Sequence, residues 1–317
     1  MKNNKIYLLD SEIARTVFVF DLSGNYLYKL GERGRAQNEY IGDPIDFFVD
    51  DDDNVSVFDV IGKKILVWHN DRFSKSIDTR DYNPQSFGIT SNNKLLFSSE
   101  ITPVLEDNGP SLFVCDSVNK KPRVLIPAND KLYFMANNNT FFSNGKRLSH
   151  IPVFSDSVLV FDKDEVEKVV HFDFNGRFMR DNIPDMLVRT EKISHQEQVK
   201  NIIRYDGVNF LRKYQESDTF ILLEYSFKSC PKYWLFNKSA DKVVASGVLF
   251  DGICPFSDYY LRANQIIAYV DDEIISILTE YSKKEEFQKN LRLSSSQMKD
   301  LIEGKIKAPA LFFITIK

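Results

Sequence analysis

The sequence contains few cysteines and histidines and no long apolar run. The cysteines Cys115, Cys230 and Cys254 are odd in number and widely spaced, which fits neither a disulfide framework nor a zinc site. The four histidines include no His-x-x-x-His pair, so a metal site of local spacing is excluded. Because no run of about 18 apolar residues exists, no transmembrane segment is expected.

Motifs for nucleotide and nucleic-acid chemistry are also missing. A net charge of −4 argues against a nucleic-acid partner. Neither a Gly-x-Ser-x-Gly elbow nor a P-loop occurs, and Gly31-x-x-Gly34 does not meet the dinucleotide pattern. We therefore expect no cofactor, no metal ion and no catalytic residue from local motifs.

The N-terminal residues contain no apolar leader. Residues 1–5 pass directly into a predicted strand. A chain that is complete as given would be cytoplasmic, whereas removal of a leader would place the protein in the cell envelope or periplasm. The sequence leaves both locations open.

The chain does contain many aromatic residues and a repeated strand phrase. With 26 Phe and 14 Tyr, aromatics reach 13% of the chain, which suits packing on pleated strands. The phrase Val-Phe-Val-Phe-Asp at 17–21 returns in similar form at 55–59, 112–116 and 158–162. Its spacing of about 45–50 residues is typical of β-propeller blades. The repeat predicts an all-β chain with residues 1–317 in one propeller domain.

Six blades can be counted, with predicted strands spread over residues 6–30, 46–78, 86–126, 132–172, 210–247 and 259–278, and a final strand at 309–316. Helical patterns predict two insertions, at about 182–204 and 283–304. Blade one has no obvious inner strand before Ile6. We therefore expect that preceding residues are missing, or that the C-terminal strand closes the ring alone.

The loop Gly-Glu-Arg-Gly-Arg-Ala-Gln-Asn-Glu-Tyr at 31–40 resembles the Gly-Pro-Gly-Glu-Tyr loop of a family of six-bladed β-propellers from gut Bacteroidetes. These proteins are distant relatives of NHL-repeat propellers. The strands at 46–50 and 54–59 follow in the family's order, and the end at 308–313 looks like its Asn-Pro-Val-Leu ending. Residues 36–38 depart from the usual Gly-Pro-Gly. The resemblance covers essentially the whole chain and implies a surface or periplasmic binding protein, often for carbohydrate or peptide uptake.

Four residues of this loop are candidate binding residues. Arg33, Arg35, Glu39 and Tyr40 could form a polar cluster at the mouth of the ring. Arginine presents a planar fork to carboxylates, and tyrosine presents a stacking face. Alternatively, Glu39 fixes the loop by accepting backbone N–H groups while Tyr40 packs between blades.

Two further arginines, Arg177 and Arg180, flank an aromatic residue where the first insertion opens. They could line a ligand site or form a solvated loop edge.

The acidic run at 50–54 lacks the glycine and the distal glutamate of an EF-hand, so it predicts a hairpin turn rather than a calcium site. The acidic stretch at 271–273 is interpreted in the same way.

The favoured function is non-catalytic binding of a small molecule, glycan or peptide by a monomer, at one end of the central channel. Rigid blades that position variable loops are suited to this role. One alternative is a metal-dependent propeller hydrolase or lyase of the lactonase or amidating-lyase kind, with ligands gathered from several blades. A second alternative is a scaffold for protein partners, which would present a broad apolar patch.

Overall fold

The chain folds into six antiparallel sheets that follow one another along the sequence, which makes it a six-bladed β-propeller. The computed structural model describes residues 2–11, 13–82, 84–99, 112–115, 122–127, 140–144, 147–179, 195–247, 258–285, 294–307 and 310–316. Two compact units are present, residues 1–213 and 214–317.

The first unit begins with a three-stranded sheet and a four-stranded sheet. Sheet one contains β1 (Lys5–Asp10), β2 (Thr16–Asp21) and β3 (Tyr26–Leu30). Sheet two contains β4 (Pro44–Val49), β5 (Asn54–Asp59), β6 (Lys64–His69) and β7 (Arg72–Asp78).

Two more four-stranded sheets and a helix follow. Sheet three contains β8 (Ser86–Ile89), β9 (Leu95–Ser98), β10 (Leu112–Cys115) and β11 (Arg123–Ile126). Sheet four contains β12 (Phe141–Asn144), β13 (Arg147–His150), β14 (Ser157–Asp162) and β15 (Glu165–His171). Helix α1 (His195–Arg204) comes next.

The boundary between the units falls within β16 (Val208–Glu216), the first strand of sheet five. Sheet five continues with β17 (Phe220–Phe227), β18 (Cys230–Asn237) and β19 (Lys242–Gly247). Sheet six contains β20 (Asp258–Arg262), β21 (Gln265–Val270) and β22 (Ala310–Thr315). Helices α2 (Asp272–Tyr281) and α3 (Ser295–Ile302) lie in sequence between β21 and β22.

The second and third strands of sheet two are apolar on both faces because neighbouring sheets cover both. Val57 and Trp68 pack with side chains of sheet one, whereas Phe58 packs with those of sheet three. The rings of Phe58 and Phe87 meet edge to face, with centroids 5.6 Å apart. The outermost strand, β7, is mostly exposed. This burial explains why the repeated phrase reads as an unbroken apolar run rather than an alternation.

The predicted strand at 274–278 is wrong, because these residues belong to α2. The side chain of Asp271 accepts a hydrogen bond from the backbone N–H of Ile274 at 2.9 Å, so the acidic stretch caps a helix instead of forming a simple turn. Ile274 and Leu278 are buried one helical turn apart. Helix α3 begins with a capping box, in which the Ser294 side chain and the Gln297 side chain each bond the other's backbone N–H.

In sheet four, the structure contains a strand that the sequence prediction misses. Strand β13 pairs with β12 and β14, and its residues Ser149 and His150 are polar yet fully buried, which hides the apolar pattern. The predicted strand at 132–136 lies outside the described residues, as do residues 182–194 of the first predicted insertion.

Candidate functional site

A cleft of about 90 Å³ lies where the first strands of sheets two, three and four end. Strand β4 contacts β8, and β8 contacts β12, so the ends of these three strands come together. The side chains around this space, called the turn cleft below, are Lys2, Phe48, Val49, Asp50, Asp51, Asp52, Ile89, Thr90, Ser91, Asn93, Ser143 and Arg147.

The first wall of the turn cleft is the hairpin between β4 and β5, which Asp50 shapes. Its Oδ1 accepts the backbone N–H groups of Asp52 and Asn54 at 2.9 and 2.8 Å, and its Oδ2 accepts the Asn54 side-chain amide at 2.8 Å. An aspartate that bonds its own turn in this way fixes the loop. The same turn recurs between β2 and β3, where Asp21 accepts from Asn25.

The second wall is the turn between β8 and β9, which is anchored to sheet four. The carboxylate of Asp164 accepts hydrogen bonds from Asn92 Nδ2 at 2.8 Å, Lys94 Nζ at 2.9 Å and an Arg123 guanidinium nitrogen at 3.0 Å. The hydrogen bonds from Lys94 and Asn92 lower the pKa of Asp164 to about 2. The turn that carries Ser91 and Asn93 is therefore held in place by an ionised anchor.

Most charged groups around the turn cleft already have protein partners. Lys2 Nζ lies 2.8 Å from a carboxylate oxygen of Asp51, and Arg147 forms a 2.7 Å ion pair with Glu167.

Four polar side chains stand in contrast to these paired charges. Within the described ranges no hydrogen bond or ion pair involves the side chains of Asp52, Ser91, Asn93 or Ser143. They stand beside an apolar surface that includes Phe48, only 8% exposed. One carboxylate, one amide and two hydroxyl groups above apolar carbon are suited to holding a polar molecule reversibly.

The candidate residues in the loop at 31–40 lie elsewhere. The Tyr40 side chain is fully buried, and its hydroxyl donates a 2.6 Å hydrogen bond to the carbonyl oxygen of Leu30. Its ring packs against Trp68 with centroids 5.7 Å apart. Burial, with a smaller contribution from the Asp59 carboxylate, raises the pKa of Tyr40 above its usual range.

The rest of this loop is organised by Glu39. Its Oε2 accepts the backbone N–H of Ala36 at 2.7 Å, and its backbone carbonyl accepts a hydrogen bond from Lys64 Nζ at 2.7 Å. Arg33 and Arg35 are exposed to solvent. None of these residues lines the turn cleft, and the binding roles of Arg33, Arg35, Glu39 and Tyr40 stay predictions.

Arg177 is exposed and also lies outside the lining of the turn cleft. Its backbone carbonyl accepts the N–H of Val208 at 2.8 Å, and the following Phe178 is buried. Arg180 lies outside the described residues.

Sequence reasoning misses the residues of the turn cleft because three separate sheets and the N-terminal segment supply them. Only the run at 50–54 attracts attention in the sequence, and there it predicts a hairpin, which the structure confirms. The one signal that could have found the site is positional, since most of the lining residues lie at the end of the first strand of a blade or in the turn after it.

The described part of the chain contains neither a metal-binding cluster nor a helix that could span a membrane. Among these residues no group of three His, Cys, Asp or Glu side chains is placed to hold a metal ion. No helix in the same ranges is both long enough and apolar enough to span a bilayer.

Known structures share this fold at low sequence identity. A Bacteroides fragilis protein named "Putative exported protein" aligns over 100% of this chain and 89% of its own, at 14% identity and a TM-score of 0.71. A member of the DUF4221 family from Bacteroides vulgatus aligns over 86% of both chains at 10% identity, with a TM-score of 0.55. A streptogramin B lyase aligns over 84% of this chain and 73% of its own, at 9% identity and a TM-score of 0.47. This similarity is too low to support a shared activity.

No curated protein sequence matches the chain. A family model described as "Domain of unknown function (DUF4934)" matches residues 1–303, nearly the whole length. The resemblance to Bacteroidetes propellers is therefore confirmed, and the chain belongs to the DUF4934 family.

Proposed function

We propose that this protein binds a small polar ligand in the turn cleft without transforming it chemically. The observation that carries the proposal is the set of polar side chains from three blades, Asp52, Ser91, Asn93 and Ser143, which make no protein hydrogen bond within the described ranges. Hydrogen-bonding groups that converge over apolar carbon are typical of ligand sites.

The surroundings of the turn cleft support binding because its walls are fixed before a ligand arrives. Asp50 holds one turn through three hydrogen bonds, and Asp164 holds the next through contacts with Asn92 and Lys94. A preformed site avoids the entropic cost of ordering loops on binding. A glycan, a peptide terminus or another small molecule is compatible with this geometry.

A ligand-observed NMR screen tests the proposal directly. The protein is screened against mixtures of sugars, amines, short peptides and carboxylic acids, and each hit is repeated with Ser91→Trp, which fills the turn cleft from an exposed turn position. Ser23→Trp places the same bulk on an exposed turn of sheet one and serves as the control. We expect hits that Ser91→Trp abolishes and Ser23→Trp retains. Hits that survive both substitutions, or a screen without hits, would contradict the proposal.

We also propose that the protein works in the cell envelope, supported by the name of the Bacteroides fragilis structure with the same fold. Fractionation of the native host, with an antibody against the folded protein, tests this location. Recovery in the membrane or periplasmic fraction is expected, whereas recovery with cytoplasmic markers would contradict it.

The metal-dependent hydrolase or lyase stays a prediction with a simple test. Metal analysis of protein purified without chelators, repeated after channel-lining substitutions, distinguishes it from binding alone. One tightly held ion per chain would favour the enzyme.

A further inference from the structure

The charges around the turn cleft indicate which class of ligand it disfavours. An anion would approach the carboxylates of Asp50, Asp51 and Asp52, while the two lining cations, Lys2 and Arg147, are already paired with carboxylates. To bind such an anion, one of these ion pairs would have to break. The cleft as described is therefore poorly suited to phosphates, carboxylates and other anions.

A cationic ligand is only weakly favoured. Asp52 is the lining carboxylate without a partner in the described ranges, and it is exposed. An exposed ion pair contributes little because water and salt screen it. One such contact is too weak to select an amine.

Neutral hydroxyl groups match the remaining side chains better. The carboxylate of Asp52 can accept two hydroxyl groups at once, although water competes for the same exposed oxygens, so the other polar groups must contribute as well. The Asn93 amide both donates and accepts, as do the hydroxyls of Ser91 and Ser143. Neighbouring hydroxyls on one ring would engage several of these groups together.

The apolar part of the turn cleft fits the same class. Phe48, Val49 and Ile89 present carbon beside the polar groups. A sugar ring has a rim of hydroxyls and a face of C–H groups, so it can satisfy both kinds of surface at once. Burial of that face removes apolar carbon from water, which favours binding.

We propose that the turn cleft binds a neutral polyhydroxylated ligand, a sugar residue with adjacent free hydroxyl groups. This inference rests on the proposed function and names its ligand class. Asp52 accepts hydrogen bonds from the adjacent hydroxyls, Asn93 and the two serines complete the polar contacts, and Ile89, which is only partly buried, lies against the C–H face.

The experiment compares three classes of probe by saturation-transfer NMR and calorimetry. The probes are glucose, galactose, N-acetylglucosamine, maltose and cellobiose for neutral sugars, putrescine for amines, and inorganic phosphate for anions. We expect at least one sugar to bind, neither charged probe to bind, and Ser91→Trp to abolish the sugar signal.

Two substitutions test the assigned contacts, each with a matched control. Asp52→Asn should weaken sugar binding about 3-fold, a small effect because the carboxylate is exposed and the amide oxygen still accepts a hydrogen bond, whereas Asp71→Asn, on an exposed turn of the same sheet, should not. Asn93 has a φ of +60°, a conformation that glycine adopts readily. Asn93→Gly therefore preserves the shape of the turn while it removes the side-chain amide. Asn175→Gly, at a φ of +53° on an exposed turn, is its control.

The outcomes separate this inference from the proposed function. Binding of putrescine or phosphate that Ser91→Trp abolishes, without sugar binding, would overturn the ligand class and preserve a binding role for the cleft. Sugar binding that is unchanged by Ser91→Trp would overturn the assigned location. If no sugar binds, the inference fails, and the broad mixture screen then decides the proposed function independently.

Discussion

The hydroxyl of Tyr40 donates a hydrogen bond to the carbonyl oxygen of Leu30 at 2.6 Å, inside the core between sheets one and two. The same carbonyl also accepts from Thr16 Oγ1 at 2.9 Å. The bond from Tyr40 ties the loop that enters sheet two to the last strand of sheet one, and the bond from Thr16 joins two strands within sheet one. The loop that most resembles the family's motif is thus built into the core.

Tyr40→Phe should lower the free energy of unfolding by about 0.5–1 kcal/mol, a small loss because Thr16 still satisfies the Leu30 carbonyl. Urea unfolding at neutral pH measures the change, with Tyr26→Phe on an exposed position as the control. If Tyr40 instead serves a ligand site, the substitution will weaken ligand binding while leaving stability unchanged.

Gly31→Ala should destabilise the protein more than Gly24→Ala. Both glycines have positive φ, +70° and +85°, so both substitutions carry a backbone cost of about 1 kcal/mol. A Cβ on Gly31 would also lie 2.8 Å from the Tyr40 ring, whereas one on Gly24 would meet nothing within 4 Å. Overpacking adds about 1–3 kcal/mol. Equal losses in chemical denaturation would show that the Tyr40 packing is not as described.

Asp46→Asn should stabilise the protein at neutral pH. Asp46 is buried in β4, its Oδ2 has no partner among the described residues, and burial raises the pKa of its carboxyl well above the usual range. Because the folded state favours the protonated carboxyl, the protein is most stable below the unfolded-state pKa of Asp46. This stability is lost as the pH rises from that value towards the folded-state pKa. The gain from Asn should exceed about 1 kcal/mol at pH 7 and shrink towards pH 4.

Unfolding curves at pH 4, 5.5 and 7 for wild type and Asp46→Asn test this dependence. Asp81→Asn, at an exposed position, controls for the loss of one negative charge. A stability difference that does not vary with pH would show that Asp46 is ionised in the folded protein.

Asp164→Asn should show the opposite dependence. The folded-state pKa of Asp164 is about 2, below its ordinary value of 3.8, so its ionised form contributes stability above about pH 4 that disappears as pH falls towards 2. Because the side chain is 16% exposed and the contacts are partly screened, we expect a loss of about 1–2 kcal/mol at pH 7. Denaturation at pH 7 and pH 3 measures it, and a constant difference would contradict the ionised anchor.

The sequence predicts the blades well where strands are covered on both faces. Strands such as β5 and β6 keep an unbroken apolar run because neighbouring sheets bury both sides, and their predicted bounds lie within one residue of those observed. Prediction fails for β13, whose buried Ser149 and His150 break that pattern. It also fails at α2. Asp271 caps this helix by accepting a hydrogen bond from the backbone N–H of Ile274, three residues further along the chain.

The turn cleft could not be predicted because its walls are distant in sequence. Asp52, Ser91 and Ser143 come from different blades, and the packing of β4, β8 and β12 brings these residues together. The motif at 31–40 draws attention to Glu39 and Tyr40, whose observed contacts are with the protein itself. The motif at 31–40 therefore indicates the conformation of that loop and not the position of the turn cleft.

The most direct test of the account is backbone amide chemical-shift mapping of the deuterated protein during titration with a ligand from the screen. The account predicts that shifts concentrate at 48–52, 89–93 and around Ser143, the three segments that line the turn cleft. Shifts confined to the loop at 31–40 or to Arg177, with these three segments unchanged, would contradict it.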